Sequence, residues 1–468
     1  MADVVVANNR APVSFDSDGH PARGAGGVAA ALATLMAGEN RLTVASAMNE
    51  ADRRFAAAAP GRVQTVNTGR GRYRLRLVDV PPDDYRQYYD VIANRFLWFA
   101  LHWLFDPVRR PLLDRGTYAA WDRYVAVNHA FASVCGEEVT DDDCLLVQDY
   151  HLALVPRLVR GPANAARIAH FTHTAWPRPQ ALAVLPDAWV REIVNGMLGA
   201  AVVGFHSARW ARNFAETAAE VAGATRAEGG LIVDGRTVRL GVFPLGPDAD
   251  SLRAEAASPA TAGAGAELDE LIDGRRLILR IERLEPAKNA LRGLLAYERI
   301  LEDHPGLRKT VLHIAQLYPS RVTAPEYIAY RDAVEAVAAR IDAHFPNALM
   351  VFSEDNFPRA MAAYARYDVL VVNSIADGLN LVAKEGPVVN ERDGVVVLSR
   401  EAGAIDQLEG AAFVVNPYDT TETAEAIYAA LSSPPDERKR RSEATRRGAV
   451  SCSPTTWLEG QLRALDSA

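Results

Sequence analysis

Cysteine is scarce in this chain: three in 468 residues, Cys135, Cys144 and Cys452, with no CxxC pair. An odd number, too small to staple a chain of this length, excludes a disulfide-built scaffold and points to a reducing compartment. Positive charge is also in deficit. Lys plus Arg number 51 against 59 Asp plus Glu, a formal net charge of −8, which excludes a protein held to nucleic acid mainly by phosphate charge. The longest low-polarity run, GAGGVAAALATLMAG at 24–38, is shorter than the roughly 20 apolar residues of a membrane span. The opening MADVVVANNR carries an acid at Asp3 and no basic stretch, unlike a secretory signal. No repeat recurs at solenoid periods. A cytoplasmic globular protein with no membrane or nucleic-acid partner is expected, and 49% hydrophobic with 24% charged residues excludes extended disorder.

What is present is a strand–helix alternation. DVVVA (3–7), CLLVQDY (144–150), RIAHFTH (167–173), AAVVGFH (200–206) and VRLGVFP (238–244) read as strands, with helical spacing near 27–37, over 118–135 and over 207–222. The pattern restarts after 250. RRLILRIER (275–283), KTVLHIAQL (309–317), ALMVFSE (348–354), YDVLVVNS (367–374) and GVVVLSR (394–400) read as strands, and 290–303, 325–343 and 357–366 as helices. The small, poorly patterned middle of 246–270 reads as an exposed loop near a boundary. The expected class is α/β: two Rossmann-like domains, 1–245 and 246–453, each on a parallel sheet and facing each other across a cleft.

Five segments could carry chemistry, and strand ends are where open α/β sheets bind ligands. Arg10 follows the first strand, and Gly26-Gly27 precede a helix, an arrangement suited to a phosphate or to a plain turn. Asp149-Tyr150-His151 and His173 sit at strand ends; either histidine could equally be a hydrogen-bonded core residue. Arg283 and Lys288 lie in one post-strand loop and can meet a diphosphate, Arg by its fork and Lys as a point charge. Glu282 and Glu285 could instead neutralise them. Asp377 and Glu385, in ADGLNLVAKE, are acceptors suited to sugar and ribose hydroxyls, or parts of a capped turn. No HExxH or Cys/His cluster supplies a metal set, and DDD at 141–143 precedes a strand where a ligand set would follow one.

In this order, NNRAPVS, AGGVAAAL, YYDVIANRFLW, QDYHLALVP, HTAWP, GFHSARWARNF, RIERLEPAK, YPSR, DGLNLVAKE, VVVLSREAGA and VVNPYD resemble the trehalose-6-phosphate synthases, retaining GT-B transferases of sugar nucleotides. The resemblance implies transfer of glucose from a nucleoside-diphosphate glucose to glucose 6-phosphate, with no cofactor and no metal. It implies acceptor contacts at Arg10, Tyr89, Trp98 and Arg321. It places Gly27, Asn380 and Leu381 at the donor diphosphate, Asp377 on the donor glucose and Glu385 on the ribose. Arg283 and Lys288 are implied to grip the leaving diphosphate, with Asp149 and His173 lining the point of transfer. It also implies that a C-terminal helix, about 454–468, packs back on the first domain. The oligomeric state stays open, a homo-oligomer included.

The chain departs from the family pattern in four places. Ser46 stands where an acceptor-site Trp is common, and Gln148 where HDYHL begins with His. Glu285-Pro286-Ala287-Lys288-Asn289 replaces Asp-Tyr-x-Lys-Gly, and Gly386-Pro387 replaces Tyr-Val. The P-x-K-N and N-E-R-D segments resemble the validoxylamine A 7′-phosphate synthase branch, whose members join cyclitols through nitrogen and use a guanine nucleotide. That branch departs at NNR and NLVAKE, which this chain keeps. The expectation is a sugar transferase that favours GDP-glucose over UDP-glucose, with Glu354 or Asp355 accepting from guanine. The alternatives are a pseudo-glycosyltransferase acting on an aminocyclitol phosphate and a non-catalytic regulatory relative.

Overall fold

A computed structural model describes residues 4–23, 35–38, 40–69, 71–160, 167–322 and 324–468. Gly27 and most of the helix expected near 27–37 lie outside the described residues. The chain divides into two compact units, Met1–Leu245 with Pro454–Ala468, and Gly246–Ser453.

The first unit contains β1 (Val4–Ala7), β2 (Val13–Phe15), β3 (Pro21–Arg23), β4 (Arg41–Ser46), β5 (Gln64–Thr68), β6 (Gly71–Val78), β7 (Cys144–Gln148), β8 (Arg167–Thr172), β9 (Val202–Phe205), β10 (Thr225–Ala227), β11 (Gly230–Val233) and β12 (Arg236–Val242). Ten of these form one sheet in the order β10-β11-β12-β9-β8-β7-β1-β4-β6-β5. Every neighbouring pair from β12 to β6 is parallel, and the outer pairs are antiparallel. The central strands are continuous apolar runs, CLLVQ and VVGF buried throughout, because helices cover both faces of a parallel sheet. The outer strand β6, GRYRLRLV, paired between β4 and the edge strand β5, mixes arginines with apolar residues instead, and its Arg76 is held by Glu137 at 3.3 Å and Glu138 at 3.2 Å from the helix Arg115–Glu138. That helix starts at a capping box between Asp114 and Thr117.

From β1 the chain builds outward through β4 and β6, then returns to add β7, β8 and β9 on the other side. This reversal makes the carboxyl ends of β1 and β7 a topological switch point. The C-terminal helix Pro454–Asp466 belongs to this unit. Its Trp457 packs edge-on to Phe171, 5.1 Å between ring centroids, and Asp466 pairs with Arg167.

The second unit contains β13 (Arg276–Leu284), β14 (Val311–Pro319), β15 (Leu349–Phe352), β16 (Val369–Val372), β17 (Val395–Ser399) and β18 (Phe413–Val415). They form one parallel sheet in the order β15-β14-β13-β16-β17-β18. Ile278, Val311, Ala315, Val369 and Val395 meet Leu294, Tyr297, Leu301, Val337 and Ile341 in a closed core. The reversal here falls between β13 and β16.

The stretch expected as an exposed loop, 246–270, is helical over Ala249–Ala256 and Pro259–Ile272. Its small residues include many alanines, the best helix former. Ser258 caps the second helix by accepting from the Thr261 N–H, with Pro259 in the first turn, and Leu268 and Ile272 are buried.

Candidate functional site

In the first unit the switch point is dressed by the residues that follow β1 and β7. Asn9 is buried and fully engaged. Its Oδ1 accepts from the Tyr88 hydroxyl at 3.0 Å and from the Ser46 hydroxyl at 3.0 Å, and its Nδ2 donates to the Tyr85 hydroxyl at 3.1 Å. Ser46, where a Trp was noted as common, is thus a small buried partner of Asn9. Arg10, next in the chain, donates from Nη2 to the Tyr89 hydroxyl at 2.7 Å. Tyr85, Tyr88 and Tyr89 are presented by a short helix, Pro82–Arg86, that widens into i→i+5 turns over Gln87–Leu97. Such wide turns are rare and cluster at functional sites. Tyr89 stacks on His151, 5.6 Å between centroids, and Trp98 stacks on His102 at 3.8 Å. Arg10, Tyr89 and His151 therefore meet, while Trp98 lies at the far end of the same helical stretch, 6.3 Å from the Tyr150 ring.

Asp149 closes β7 with a left-handed φ of 65°. This backbone turn aims its carboxylate at the next strand end, where Oδ1 accepts the His173 backbone N–H at 3.1 Å. Burial pushes its carboxyl up to about 7, against the pull of the His173, Tyr150 and Thr174 N–H groups. His151 Nδ1 stands 3.9 Å from Asp149 Oδ2. The His173 ring is occupied on both sides: Nε2 lies 2.9 Å from Gln148 Oε1, and Nδ1 lies 3.2 Å from His206 Nε2. Burial, with His170 nearby, takes His173 down to about 3. His206, at the end of β9, went unnoticed as a site residue in the sequence, although its strand-end position in GFHS carried the same signal as His173.

In the second unit the switch point brings the two expected cation and carboxylate segments together. Lys288, in the turn after β13, pairs with Asp377 Oδ2, after β16, at 2.5 Å. Asp377 also accepts from Asn380 Nδ2 at 3.1 Å and from the Ser374 hydroxyl at 3.4 Å. Asn380 has a left-handed φ of 74° and leads through Leu381 into the helix Val382–Val389, so the N–H groups of its first turn begin beside Asp377 and Lys288. Glu385, on that helix, accepts from the Tyr364 hydroxyl at 3.4 Å.

Arg283 and Arg321 share Glu285. Glu285 is fully buried, with Oε1 3.1 Å from Arg283 and Oε2 3.6 Å from Arg321. Burial is the largest influence on Arg283 and opposes its charge, as does Arg321, but Glu285 together with Tyr318 and Tyr327 raises the guanidinium on balance. Glu285 thus does neutralise, as one sequence reading allowed, yet a single carboxylate serves two arginines and the trio keeps a net positive charge. Arg321 also donates to the Tyr327 hydroxyl. It lies in the second unit, apart in the chain division from Arg10, Tyr89 and Trp98. Beneath these groups Arg280, fully buried, donates to Glu282, to Asn373 and, at 3.4 Å, to the Lys288 carbonyl. Gly293 makes room for it: a Cβ there would stand 2.1 Å from Arg280 Nη2.

Among the described residues, the grouping of metal-ligand types is Asp16, Asp18 and His20, all exposed. Asp16 there accepts the Asp18 and His20 N–H groups and forms an ordinary turn. No helix among the described residues is long and apolar enough to cross a membrane.

With this geometry in hand, comparisons with known proteins converge. The model of glycosyltransferase family 20 matches residues 3–467. A bifunctional trehalose-6-phosphate synthase/phosphatase of Thermoproteus tenax is 31% identical over 94% of this chain and 60% of its own length. The chain thus spans about three fifths of that relative. A validamine 7-phosphate valienyltransferase of Streptomyces hygroscopicus is also 31% identical, over 99% of this chain and 94% of its own. An E. coli trehalose-6-phosphate structure bound with UDP-2-fluoro glucose superposes with a TM-score of 0.86 at 25% identity, covering 100% of this chain and 99% of that one. An α,α-trehalose-phosphate synthase (UDP-forming) of Burkholderia xenovorans, in complex with glucose 6-phosphate, gives 0.85 at 26%, covering both chains fully. The expected α/β class with two Rossmann-like parallel-sheet units is the fold found.

Proposed function

Because the chain belongs to glycosyltransferase family 20, we propose that it transfers glucose from a nucleoside-diphosphate glucose to glucose 6-phosphate, giving α,α-trehalose 6-phosphate. The observation that carries this reading is the second-unit switch point. Lys288, Asp377 and the start of the helix Val382–Val389 meet there, with Arg283 at the end of β13, the strand that Lys288 follows.

The residue types suit the chemistry. The donor's diphosphate docks at the helix N-terminus beyond Asn380 and Leu381, where backbone N–H groups favour an anion. Lys288 exchanges Asp377 for a phosphate oxygen, and Asp377 is released to a hydroxyl of the donor glucose. Arg283 adds a guanidinium fork to the leaving diphosphate. Glu385 accepts from the ribose. As the glycosidic bond breaks, negative charge grows on the diphosphate, and fixed cations stabilise it with no metal. The departing phosphate oxygen takes the proton of the attacking hydroxyl on the same face, so configuration is retained without a carboxylate nucleophile. The two-carboxylate arrangement of glycosidases is not needed. In the first unit, Arg10 with Tyr89 binds the acceptor's phosphate. Asp149 and His173 line the transfer point, and Trp98 and Arg321 complete the acceptor contacts.

We extend the proposal to the donor base: GDP-glucose over UDP-glucose. Its support is the pair of segments shared with the cyclitol-coupling branch, together with two exposed acids after β15. Glu354, 3.7 Å from Arg359, and Asp355 can accept from guanine's N1–H and amino group. Relatives named as UDP-forming make the base the sharpest point to test. The second reading, coupling of an activated cyclitol to an aminocyclitol phosphate, is favoured by the end-to-end match to the valienyltransferase. Against the non-catalytic reading stands the presence of Arg283, Lys288 and Glu385 together.

A donor-by-acceptor matrix separates these readings: GDP- and UDP-glucose against glucose 6-phosphate and a validamine-type aminocyclitol phosphate. Turnover with GDP-glucose and glucose 6-phosphate, well above UDP-glucose, is expected. With a nucleotide-activated cyclitol added as a third donor, turnover of that donor on the aminocyclitol phosphate alone would select the second reading, and none on any pair the third.

A further inference from the structure

The turn that carries Lys288 is tied to two other strand ends by one side chain. Asn289, buried and next in the chain, has a left-handed φ of 63°, a conformation that Gly and Asn adopt with least strain. Gly would supply the turn alone; Asn also supplies an amide. Its Nδ2 donates to the carbonyl of Asn373, the residue after β16, at 2.9 Å. The same Nδ2 donates to the carbonyl of Pro417, two residues beyond β18, at 2.7 Å. Its Oδ1 accepts from Arg292 Nη1 at 3.1 Å, and the Arg292 guanidinium lies 5.4 Å from the centroid of the Tyr418 ring. The amide can face only this way. Carbonyls only accept and a guanidinium only donates, so turning it around would set like against like at all three contacts.

We infer that Asn289 is a positioning residue: it clamps the Lys288 turn onto the carboxyl ends of β16 and β18 and so steadies Lys288 at Asp377. It acts through Lys288, and the inference rests on the proposed transferase reading only for its kinetic consequence. β16 and β17 lie between β13 and β18 in the sheet, so among the described residues no ladder bond joins those two strands. The Asn289 amide spans that gap. Toward β16 it is one tie of several. The Ile375 N–H donates to the Ala287 carbonyl at 2.8 Å, and Arg280 reaches the Lys288 carbonyl at 3.4 Å. The helices that follow β13 and β18, Ala290–Asp303 and Thr420–Ser432, also pack on each other. Without the amide the turn therefore stays formed but loosens toward β18, and Lys288 wanders about its place instead of leaving it.

The test uses the full chain and two variants, each made alone and together with Lys288→Met. Asn289→Gly keeps the left-handed backbone and removes the amide. Asn289→Asp keeps the shape but removes both donors and turns a carboxylate oxygen toward two carbonyls. Backbone hydrogen–deuterium exchange, read by mass spectrometry, is the first measurement. The Tyr418 and Asp419 N–H groups are held by Asn416. In either variant they should exchange about tenfold faster, the effect of two lost hydrogen bonds, while β13 stays protected. Steady-state kinetics is the second. Either variant should lower kcat about tenfold with KM for both substrates within about twofold. Where Lys288 is already Met, the further loss should be under about twofold, because the group being positioned is gone. Unchanged exchange at Tyr418 and Asp419 would overturn the clamp. A kcat at the natural level, or one lowered by the same factor with and without Lys288, would overturn the positioning of Lys288. If Asn289→Gly does not fold, Asn289→Asp carries the test. Faster exchange in the variants, with no turnover on any sugar donor by the natural chain, would support the clamp and overturn the proposed reaction instead.

Discussion

Lys288→Met, read alone and together with Asp377→Asn, separates what the ion pair does for folding from what Lys288 does for turnover. At 2.5 Å and an effective dielectric of about 20, the gross attraction is about 7 kcal/mol. Desolvating both groups takes back most of it, and stranding one partner of a fully buried pair costs about 3–5 kcal/mol. Here the cost is smaller. The side chains keep 16% and 13% of their exposure, and Asp377 retains its bonds from Asn380 and Ser374. Lys288→Met should therefore lose about 1–3 kcal/mol, the penalty of one under-paired polar group, or roughly 2–12 °C in Tm for a unit of this size. Asp377→Asn on top removes the stranded charge and should recover most of that loss. Activity should behave otherwise. On the proposed reading Lys288 meets the leaving diphosphate only in the loaded enzyme, and removing such a preorganised contact should lower kcat by about 10²–10³-fold. The double variant should stay as inactive as the weaker single. Thermal unfolding and initial-rate kinetics on the four proteins decide it. Recovery of activity along with stability in the double variant would show that Lys288 acts only as a structural partner of Asp377.

Other outcomes follow from the same structure. Arg10→Ala breaks the link to Tyr89 and should raise KM for glucose 6-phosphate by about 10–100-fold, with little change for the donor, in initial-rate measurements. Gly293→Ala places a methyl against the pinned Arg280 guanidinium and should cost about 1–3 kcal/mol by denaturant unfolding, with a lowered kcat through the Lys288 turn. Burial depresses His170 to about 4 and His173 and His313 to about 3. The native state then binds fewer protons than the unfolded chain below about pH 6.5, so stability should be full above that pH and fall progressively toward pH 4. Asp149, raised to about 7 by burial, has the opposite sign: between about pH 4 and 7 the native state holds the extra proton, so its contribution weakens as pH rises. Asp149→Asn should therefore gain relative stability at pH 8 compared with pH 4, and urea titrations at both values check the difference.

Much of this was legible because the chemistry sits where periodicity ends. Helices 290–303 and 357–366 were readable to the residue, since their apolar spacing is unbroken and Asn289 and Asn356 punctuate their starts. Lys288 and Asp377, 89 residues apart, were each readable as following a strand, but it was the resemblance to the trehalose-6-phosphate synthases that put them in one site. The strands β4, β5 and β6 escaped: QTVNT is polar, and the arginines of GRYRLRLV mask an alternation whose Tyr73, Leu75 and Leu77 face inward. The helices within 249–272 were hidden by alanine and glycine, which carry too little hydrophobic contrast to show a period. Buried polar groups were the hardest to see. Arg280 reads as one more strand-embedded charge until Glu282 and Asn373 surround it. His206, whose Nδ1 accepts the Leu245 backbone N–H, owes its place to a contact that no sequence pattern announces.

The most direct measurement is the anomeric configuration of the product. The purified chain is incubated with GDP-glucose and glucose 6-phosphate, with chelator present, and proton NMR follows the anomeric region from the first turnover. The account predicts α,α-1,1-linked trehalose 6-phosphate as the initial product, formed at a rate unchanged by chelator and only when both substrates are present. A β-linked initial product, a product that requires added metal, or hydrolysis of the donor with no disaccharide phosphate would contradict it.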